Sequence, residues 1–477
     1  MGLKTFTIDF AECSKENSNR FDVNFIDFNK REQKQTYFFR DFFDIQSFEK
    51  KDRLALLDDL DDDDFYYAEI GNATKQGDIV PEKLNVQNRN ELVADYFKKI
   101  DKGDIQKAEE GNILIAKVRP NLKKYVLIDD DNKNYFYTTA FINLKPKKIG
   151  KILYYSLRTI FYEDLMAISR QGKGYPTLKE NDLFSLRFDK KKIDKLEKQQ
   201  DQIIAQIEPI EKKIKELKTQ ITPQQEVINR VFAREFGFDL EKFEELKKIK
   251  NYYLDLPSFA NNRDIRQSVK FHREAGIFVN NQLKKITNKK IKHFISEPIV
   301  LGKGVSPKDY DENGDYYYVS MANIKNWQFE SEEAKLVSKE YSDQNQKKTV
   351  ANNDILIARS GEGTIGKVAL IQDEDLQGIY ADFTMRIRLQ NYNHLFAYYY
   401  FRTEYFQYLI EINKKGLGNN TNIFPSQIQE FPMIDLSLKE QKKIVGEIKT
   451  ELDKQEEIKE KIEAERNKIG EIIIKCI

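Results

Sequence analysis

The sequence predicts an α+β protein with an internal repeat, in which two mixed α/β domains are separated by two long helices. Short segments recur in the same order at a spacing of about 240 residues. Each half also carries short apolar runs bounded by Gly, Asn and Asp, which are typical of strands. Each half closes with a charged segment whose apolar residues have helical spacing. We therefore expect domains at 1–188 and 251–436, with helical segments at 189–250 and 437–477.

The repeat is defined by five pairs of similar segments. They are Tyr67–Asn72 with Tyr318–Asn323, Gly111–Lys117 with Asn353–Arg359, Tyr154–Thr159 with Tyr398–Thr403, Gly172–Gly174 with Gly416–Gly418, and Gln200–Ile207 with Gln441–Ile448. One such match arises by chance, but five in one order indicate a duplicated plan. The aromatic stripes at Tyr154 and at Tyr398 have the density of a helix. We interpret them as core packing rather than as platforms for base stacking.

The helix after the first domain is predicted from a heptad seam. Its apolar positions alternate steps of three and four residues, as in a coiled coil, at Ile193, Leu196, Gln200, Ile203, Ile207, Ile210, Ile214, Leu217 and Ile221. Pro209 removes a backbone donor, so we expect a kink or a break there. Pro223 ends this stretch or starts another helix, Gln224–Phe236.

The C-terminal segment carries a second apolar stripe. Its helical positions include Ile444, Ile448, Leu452, Ile458 and Ile462. Two stripes in one chain are most simply explained if they pack on each other. Two independent oligomerisation coils remain the alternative.

Composition excludes several classes of protein. The chain has 79 Lys and Arg against 78 Asp and Glu, so its formal net charge is +1. Such a balance argues against a free-standing nucleic-acid binder, and any contact with DNA would use local patches or basic partners. A mean hydropathy of −0.67 and short apolar runs argue against a membrane protein. With no visible secretory signal, we expect a cytoplasmic protein.

Motifs for catalysis and for metal binding are missing from the sequence. Cys13 and Cys476 are too few for a four-cysteine zinc site, and the three histidines are far apart, so we expect no metal. No Pro-Pro pair occurs, which excludes the usual motif of amino-methylating DNA methyltransferases. Gly361–Lys367 has the glycine and lysine spacing of a phosphate-binding loop. However, Val368 replaces the Ser or Thr that would hold Mg²⁺, and a strand-like run follows. We interpret this segment as a hairpin turn, and a nuclease or NTPase function rests on this near miss alone.

The layout and three segments of the second half resemble the specificity subunit of type I restriction-modification systems. Asp354–Leu370 resembles the family's strand–turn–strand segment, Gly418–Ile423 its polar loop, and Leu438–Val445 the start of its conserved helix. The first half departs from this pattern because it lacks the glycine turn. There, Gly174–Thr177 replaces the Asn-rich loop.

This resemblance implies a non-catalytic protein that binds double-stranded DNA. Each mixed domain would be a target-recognition domain that reads one half of a split sequence. The two helices would form an antiparallel coiled coil with pseudo-two-fold symmetry, on which two methyltransferase (modification) subunits dock. Restriction/translocase subunits would join the complex. The resemblance implies no cofactor in this chain, since S-adenosylmethionine, Mg and ATP would be bound by partner subunits. A coiled-coil scaffold or inhibitor that binds only protein partners is the alternative.

Candidate DNA contacts follow from the chemistry of phosphates and base edges. Phosphates bind Lys, Arg and backbone amides, whereas base edges bind Asn, Gln, Arg and Lys. In the first domain we expect contacts from Asn72, Lys117, Arg119, Lys123, Arg170, Lys173 and Tyr175. In the second domain we expect them from Lys303, Asn323, Arg359, Ser360, Lys367, Asn419, Asn420 and Thr421. The alternative for each is a solvated surface charge or a residue that forms a turn.

Overall fold

The computed structural model of the protein separates into two compact units. It describes residues 23–30, 36–56, 64–87, 89, 93–171, 174–249, 251–254, 257, 268–325, 327–331, 334–361, 364–416 and 421–477. Unit 1 comprises residues 1–220 and 459–477, and unit 2 comprises residues 221–458. Both units contain helices and strands, so the predicted mixed class is confirmed. The predicted domain limits divide the chain differently, because each compact unit includes part of both helical segments.

Unit 1 is built around two small sheets. Its strands are β1 (Thr36–Phe38), β2 (Phe43–Gln46), β3 (Asp64–Ala68), β4 (Glu82–Asn85), β5 (Ile113–Ala116), β6 (Tyr125–Leu127), β7 (Phe136–Tyr137), β8 (Phe141–Pro146), β9 (Arg170–Gln171), β10 (Pro176–Thr177) and β11 (Arg187–Asp189). One sheet has the antiparallel order β2-β8-β5-β6. The other has the order β4-β3-β7, in which β3 and β7 are parallel. All four residues of β5 are buried, because this strand is covered on both faces.

The helices of unit 1 flank these sheets. They are α1 (Val23–Lys30), α2 (Lys50–Ala55), α3 (Ala94–Ile100), α4 (Gly150–Arg158), α5 (Tyr162–Ile168), α6 (Glu180–Leu183), α7 (Lys190–Lys198) and α8 (Gln200–Lys218). Helix α4 carries the first aromatic stripe, and Tyr154 is buried as predicted. Tyr155 is half-buried and donates its hydroxyl hydrogen to Glu211 Oε1 at 2.7 Å. This stripe therefore serves packing within the protein.

Unit 2 has strand pairings that correspond to those of unit 1. Its strands are β12 (Tyr316–Val319), β13 (Ile324–Lys325), β14 (Gln328–Phe329), β15 (Leu336–Val337), β16 (Ile355–Ala358), β17 (Val368–Leu370), β18 (Gly378–Tyr380) and β19 (Thr384–Ile387). The buried strand β16 lies between antiparallel β17 and β19, as β5 lies between β6 and β8. Strand β12 pairs in parallel with β18 and antiparallel with β15, as β3 does with β7 and β4.

The helices of unit 2 enclose one large apolar core. They are α9 (Gln224–Phe236), α10 (Leu240–Lys248), α11 (Glu274–Ile286), α12 (Lys339–Gln344), α13 (His394–Arg402), α14 (Glu404–Asn413) and α15 (Pro425–Gln429), and they are followed by α16 (Leu438–Lys475). Helix α9 begins directly after Pro223, as predicted. The second aromatic stripe, Tyr398 to Phe401 on α13, is buried in this core as predicted. Helix α16 is continuous, and its residues up to 458 belong to unit 2 while the rest belong to unit 1.

Within unit 1, the seam of α7 and α8 runs antiparallel to the end of α16. Lys195 Nζ donates to the Ile477 carbonyl at 2.6 Å, and Lys213 Nζ donates to Glu465 Oε1 at 2.5 Å. The predicted seam residues are buried at Ile193, Leu196, Ile203, Ile207 and Ile214, and half-buried at Leu217. Ile462 on α16 is buried as well. Burial of one face of each helix stabilises the pair through the hydrophobic effect.

Within unit 2, the first half of α16 runs antiparallel to α9. Arg234 forms an ion pair with Glu447, and the main-chain nitrogen of Thr222 donates to Gln455 Oε1 at 2.7 Å. Ile444 and Ile448 of α16 share a core cluster with α9 residues, and Leu452 packs against that cluster. Ile458 is half-buried.

Of the kink or break predicted at Pro209, the break is wrong, since the interruption of the helix lies at Gln199. Helix α8 continues through Pro209, whereas Gln199 has φ −104° and ψ 13° and separates α7 from α8. Proline leaves the carbonyl four residues earlier without its helical donor. Here that residue, Ala205, is exposed, as is Pro209 itself, so water can bind the carbonyl. A proline on the solvent face is therefore tolerated.

Candidate nucleic-acid interface

Main-chain hydrogen bonds hold three of the predicted DNA-contacting segments of unit 2 beside the end of β16 and the turn between β18 and β19. The amide of Lys303 donates to Tyr380 O at 3.0 Å, and the amide of Arg359 donates to Phe383 O at 2.9 Å. The amide of Ile423 in turn donates to Arg359 O at 2.9 Å. We call the surface formed by residues 301–304, 359–361, 381–384 and 421–424 the unit 2 end surface.

A glycine turn connects β16 to β17 beside this surface. Gly361 has φ +92°, a conformation that side chains rarely adopt, and the amide of Ala358 donates to Lys367 O at 2.9 Å to close the hairpin. After Lys367 the chain enters strand β17 instead of a helix. A phosphate-binding loop requires a helix N-terminus at this point. The structure therefore supports the hairpin interpretation of the glycine segment.

A second glycine allows the segment that carries Lys303 to approach the sheet. A Cβ added at Gly302 would lie 2.1 Å from the Tyr380 carbonyl oxygen and 2.2 Å from the Ala381 carbonyl oxygen. No side chain fits in this space, because such carbon–oxygen distances are far inside van der Waals contact. Gly302 thus fixes the position of Lys303, whose side chain is exposed.

The Arg359 side chain has one polar partner and two aromatic neighbours in the described part of the chain. Its Nη2 donates to Asn422 Oδ1 at 3.2 Å, and its guanidinium carbon lies 5.9 Å from the centre of the Phe383 ring. The ring of Phe424 is also 5.9 Å away. Phe383 is 51% exposed and Phe424 is 39% exposed. The arrangement places a cation within 5.9 Å of two solvent-accessible aromatic rings.

The other predicted residues of unit 2 differ in exposure. Ser360 and Lys367 are half-buried. Asn323 is only 6% exposed, and its Oδ1 accepts a hydrogen bond from Ser320 Oγ at 2.7 Å in a 3-10 turn. Thr421 is 4% exposed. The structure therefore assigns the Asn323 side chain to turn formation and the Thr421 side chain to the interior, whereas Lys303, Arg359, Ser360 and Lys367 lie at or near the surface.

Unit 1 repeats the main-chain geometry with different side chains. The amide of Lys117 donates to Ala140 O at 2.9 Å, and the amide of Leu178 donates to Lys117 O at 2.8 Å. The amide of Arg119 also donates to Pro176 O at 2.9 Å. Lys117 thus occupies the position of Arg359, and Ala140 occupies that of Phe383. We call the surface around Lys117, Arg119 and Tyr175 the unit 1 end surface.

The unit 1 end surface carries two cations, Lys117 and Arg119. Lys117 forms an ion pair with Glu180 at 2.9 Å. Arg119 is exposed, and its guanidinium carbon lies 5.2 Å from the centre of the Tyr175 ring, which is 42% exposed. Cation–ring contacts of this kind are weak in solvent. The Arg119 side chain and the Tyr175 ring therefore both lie at the solvent-exposed part of this surface.

Three predicted residues of unit 1 are engaged within the protein. Arg170 makes a bidentate contact with buried Asp182 at 2.8–3.0 Å, and Asn72 Oδ1 accepts from the Glu69 amide at 2.7 Å. Lys123 donates to Arg158 O at 3.1 Å. Burial, followed by the charge of Arg158, lowers the pKa of Lys123. These contacts fix loops, so a structural role explains the three side chains.

Three further predicted residues, Lys173, Asn419 and Asn420, lie outside the described residues. Sequence reasoning missed Phe383 and Phe424. Phe383 lies in the turn between β18 and β19, and an aromatic residue in a short turn between two strands was the available signal. Phe424 precedes α15, where Pro425 marks the start of a helix.

Two searches of the described part of the chain gave negative results. No group of three or more His, Cys, Asp or Glu side chains is arranged to hold a metal ion. Within the same ranges, no helix has both the length and the apolar character that a membrane crossing requires.

A family model matches a large part of the second half of the chain. Residues 299–466 match the model of the "Type I restriction modification DNA specificity domain". A curated relative, the type I restriction enzyme HindI specificity subunit of Haemophilus influenzae, is 29% identical over 174 residues. That alignment covers 35% of this chain and 35% of the relative, so the chain spans about a third of the relative's length in the match.

Solved structures of type I systems are similar over most of the chain at low TM-scores. The HsdS subunit from Thermoanaerobacter tengcongensis is 14% identical with a TM-score of 0.31, and the alignment covers 93% of this chain and 96% of that one. The type I S subunit from M. genitalium is 12% identical with a TM-score of 0.35, over 93% and 97%. Scores in this range add nothing to the assignment, which rests on the family match and the motifs. Residues 299–466 therefore resemble the DNA specificity domain of type I restriction-modification systems, and a specificity subunit of such a system is a relative of this part of the chain.

Proposed function

We propose that this chain is the non-catalytic DNA specificity subunit of a cytoplasmic type I restriction-modification complex. Each unit would read one half of a bipartite target through its end surface. One observation carries the proposal: the same main-chain hydrogen bonds hold Lys117 against Ala140 and Arg359 against Phe383. A duplicated frame with different side chains suits a protein that reads two different half-sites with one fold.

The helical segments support a spacing role. Antiparallel contacts occur within each unit, between α8 and the end of α16 in unit 1 and between α9 and the start of α16 in unit 2. We infer that these helices form the antiparallel coiled coil that holds the recognition domains apart. Helix α16, with 38 residues, is about 57 Å long at a rise of about 1.5 Å per residue. That length corresponds to more than one turn of B-DNA.

The proposed partners supply the chemistry. Two methyltransferase subunits would dock on the coiled coil and bind S-adenosylmethionine, and restriction subunits would use ATP and Mg²⁺. The end surfaces of this chain would position the duplex through phosphate and base-edge contacts. Because specificity would come from few side chains in each unit, single substitutions there should change the sequence that is methylated.

The test is reconstitution of the chain with the adenine methyltransferase subunit of its own system. We expect adenine methylation at a split DNA site, read by methylome sequencing, and none from either protein alone. Calorimetry on the isolated chain provides the control, since it should bind no S-adenosylmethionine. Stoichiometric binding of that cofactor by the isolated chain, or methylation without a defined site, would contradict the proposal. A scaffold that binds only proteins would leave the methyltransferase without sequence specificity.

A further inference from the structure

The unit 2 end surface exposes two phenylalanine rings beside one arginine. Phe383 is 51% exposed and Phe424 is 39% exposed, although both are large apolar residues. Exposed apolar groups that lie together mark interaction sites more often than isolated ones do. Both rings lie 5.9 Å from the guanidinium carbon of Arg359. We call Arg359, Phe383, Asn422 and Phe424 the arginine–phenylalanine cluster.

The frame of this cluster fixes where the guanidinium lies. The Arg359 amide donates to Phe383 O at 2.9 Å, and the Ile423 amide donates to Arg359 O at 2.9 Å, so the main chain is held from both sides. Asn422 Oδ1 then accepts from Nη2 at 3.2 Å. An arginine side chain has five N–H donors in one plane. Asn422 uses a single donor, so the terminal nitrogens retain enough donors for a second, bidentate acceptor.

The charge of Arg359 is not neutralised within the described ranges. No carboxylate there lies within ion-pairing distance of Arg359, whereas Arg230, Arg234, Arg386 and Arg388 of unit 2 each have one. At the equivalent position of unit 1, Lys117 pairs with Glu180 at 2.9 Å, and Ala140 stands where unit 2 has Phe383. The two units thus present different chemistry on the same backbone frame.

Guanine is the base that this chemistry fits. Arginine binds guanine O6 and N7 with two parallel hydrogen bonds in the major groove, whereas apolar side chains contact the methyl group of thymine. We propose that Arg359 reads a guanine and that Phe383 contacts a neighbouring thymine methyl in the half-site bound by unit 2. This inference rests on the proposed function, and it goes further by naming the bases and the residues that recognise them.

The experiment uses the complex of the full chain with its methyltransferase subunits and the duplex found by methylome sequencing. Each guanine of both half-sites is replaced in turn by 7-deazaguanine, which lacks the N7 acceptor, and each thymine by uracil, which lacks the methyl group. Fluorescence anisotropy measures affinity for the wild type, Arg359→Ala, Arg359→Lys and Phe383→Ala. Lys285→Ala is the matched control, because Lys285 is an exposed lysine of α11, which contributes no residue to the cluster.

We expect 7-deazaguanine at one position to weaken wild-type binding about tenfold. The same replacement should have no further effect on Arg359→Ala. Uracil at a neighbouring position should weaken the wild type severalfold but leave Phe383→Ala unaffected. Lys285→Ala should behave as the wild type at every position. Circular dichroism establishes that each variant is folded, and the modified duplexes test the wild type without any substitution in the protein.

The possible failures are distinguishable. If the wild-type complex shows no preference for any DNA sequence, the proposed function itself is wrong. If the wild type binds a specific duplex but Arg359→Ala keeps the same sensitivity to every modified guanine, only this inference is overturned. Full retention of affinity and specificity by Arg359→Lys would also overturn it, because lysine supplies a point charge without the bidentate fork.

Discussion

Substituting Gly302 by alanine should displace the segment that presents Lys303. The added Cβ would lie 2.1 Å from Tyr380 O, whereas real contacts of this kind are not shorter than 3.0 Å. The segment must therefore move by about 1 Å, and overpacking of this kind costs about 1–3 kcal/mol. The movement strains two hydrogen bonds, from the Gly302 amide to Thr384 O and from the Lys303 amide to Tyr380 O.

Chemical denaturation measures the loss of folding stability in Gly302→Ala. Gly446→Ala is the control, and it should change the stability in the opposite direction. Nothing lies within 4 Å of a Cβ built at Gly446, which is exposed on α16. Alanine inside a helix is more stable than glycine by about 0.5–1 kcal/mol. The same chemical change should thus lower the free energy of unfolding at position 302 and raise it at position 446.

We also expect Gly302→Ala to weaken DNA recognition at one half-site only. In the reconstituted complex, the variant should weaken recognition of the half-site bound by unit 2 and leave the other half-site unchanged. Methylome sequencing at a limiting concentration of the reconstituted complex measures recognition of both half-sites. A Gly302→Ala protein with unaltered stability and unaltered methylation would refute the assigned close approach and the role of the unit 2 end surface.

Two further predictions concern the helices. Burial alone would raise the pKa of Asp78, but Lys218 and Arg466 lower it below its ordinary value. The stability that this pairing contributes is therefore complete above the unfolded pKa of about 3.9 and is lost as pH falls through the lower folded pKa. Asp78→Asn should cost about 1–2 kcal/mol at pH 7 by denaturation and should reduce the loss of stability at acid pH. Asp95→Asn, in a pair with Lys98 that is exposed to solvent, should have a much smaller effect on both, although Lys98 also lowers the pKa of Asp95. Four residues inserted after Lys218, matched by four after Ile458, add about 6 Å of helix. The unread DNA gap should lengthen by one or two base pairs at about 3.4 Å each, while two-residue insertions should turn the seam away and reduce stability. An unchanged gap after the four-residue insertions would count against the spacing role.

The sequence predicted the features that depend on local pattern. Pro223 marked the start of α9, and the heptad steps identified Ile193, Ile203 and Ile207 as buried, because proline geometry and helical periodicity act over a few residues. The hairpin at Gly361 was likewise visible, since a glycine turn between two apolar runs has few other solutions.

The parts that depend on distant contacts were not predictable. In the sequence, Arg170 and Asn323 were indistinguishable from polar residues that are available to DNA. In the structure, Arg170 forms a salt bridge with Asp182, and Asn323 accepts a hydrogen bond within a buried turn. The rings beside Arg359 come from segments much later in the chain, so no local pattern connects them. The break predicted at Pro209 failed for a different reason: Pro209 and Ala205 are exposed, so water can bind the carbonyl that proline leaves without a helical donor.

In the proposed function, the two units read separate halves of one DNA target. The decisive experiment replaces residues 251–436 with the equivalent domain of a relative and sequences the methylome of cells that carry the methyltransferase partner. One half of the methylated sequence should change while the other half and the gap are retained. A methylome in which both halves change, or in which neither does, would show that the two units are not independent readers of DNA.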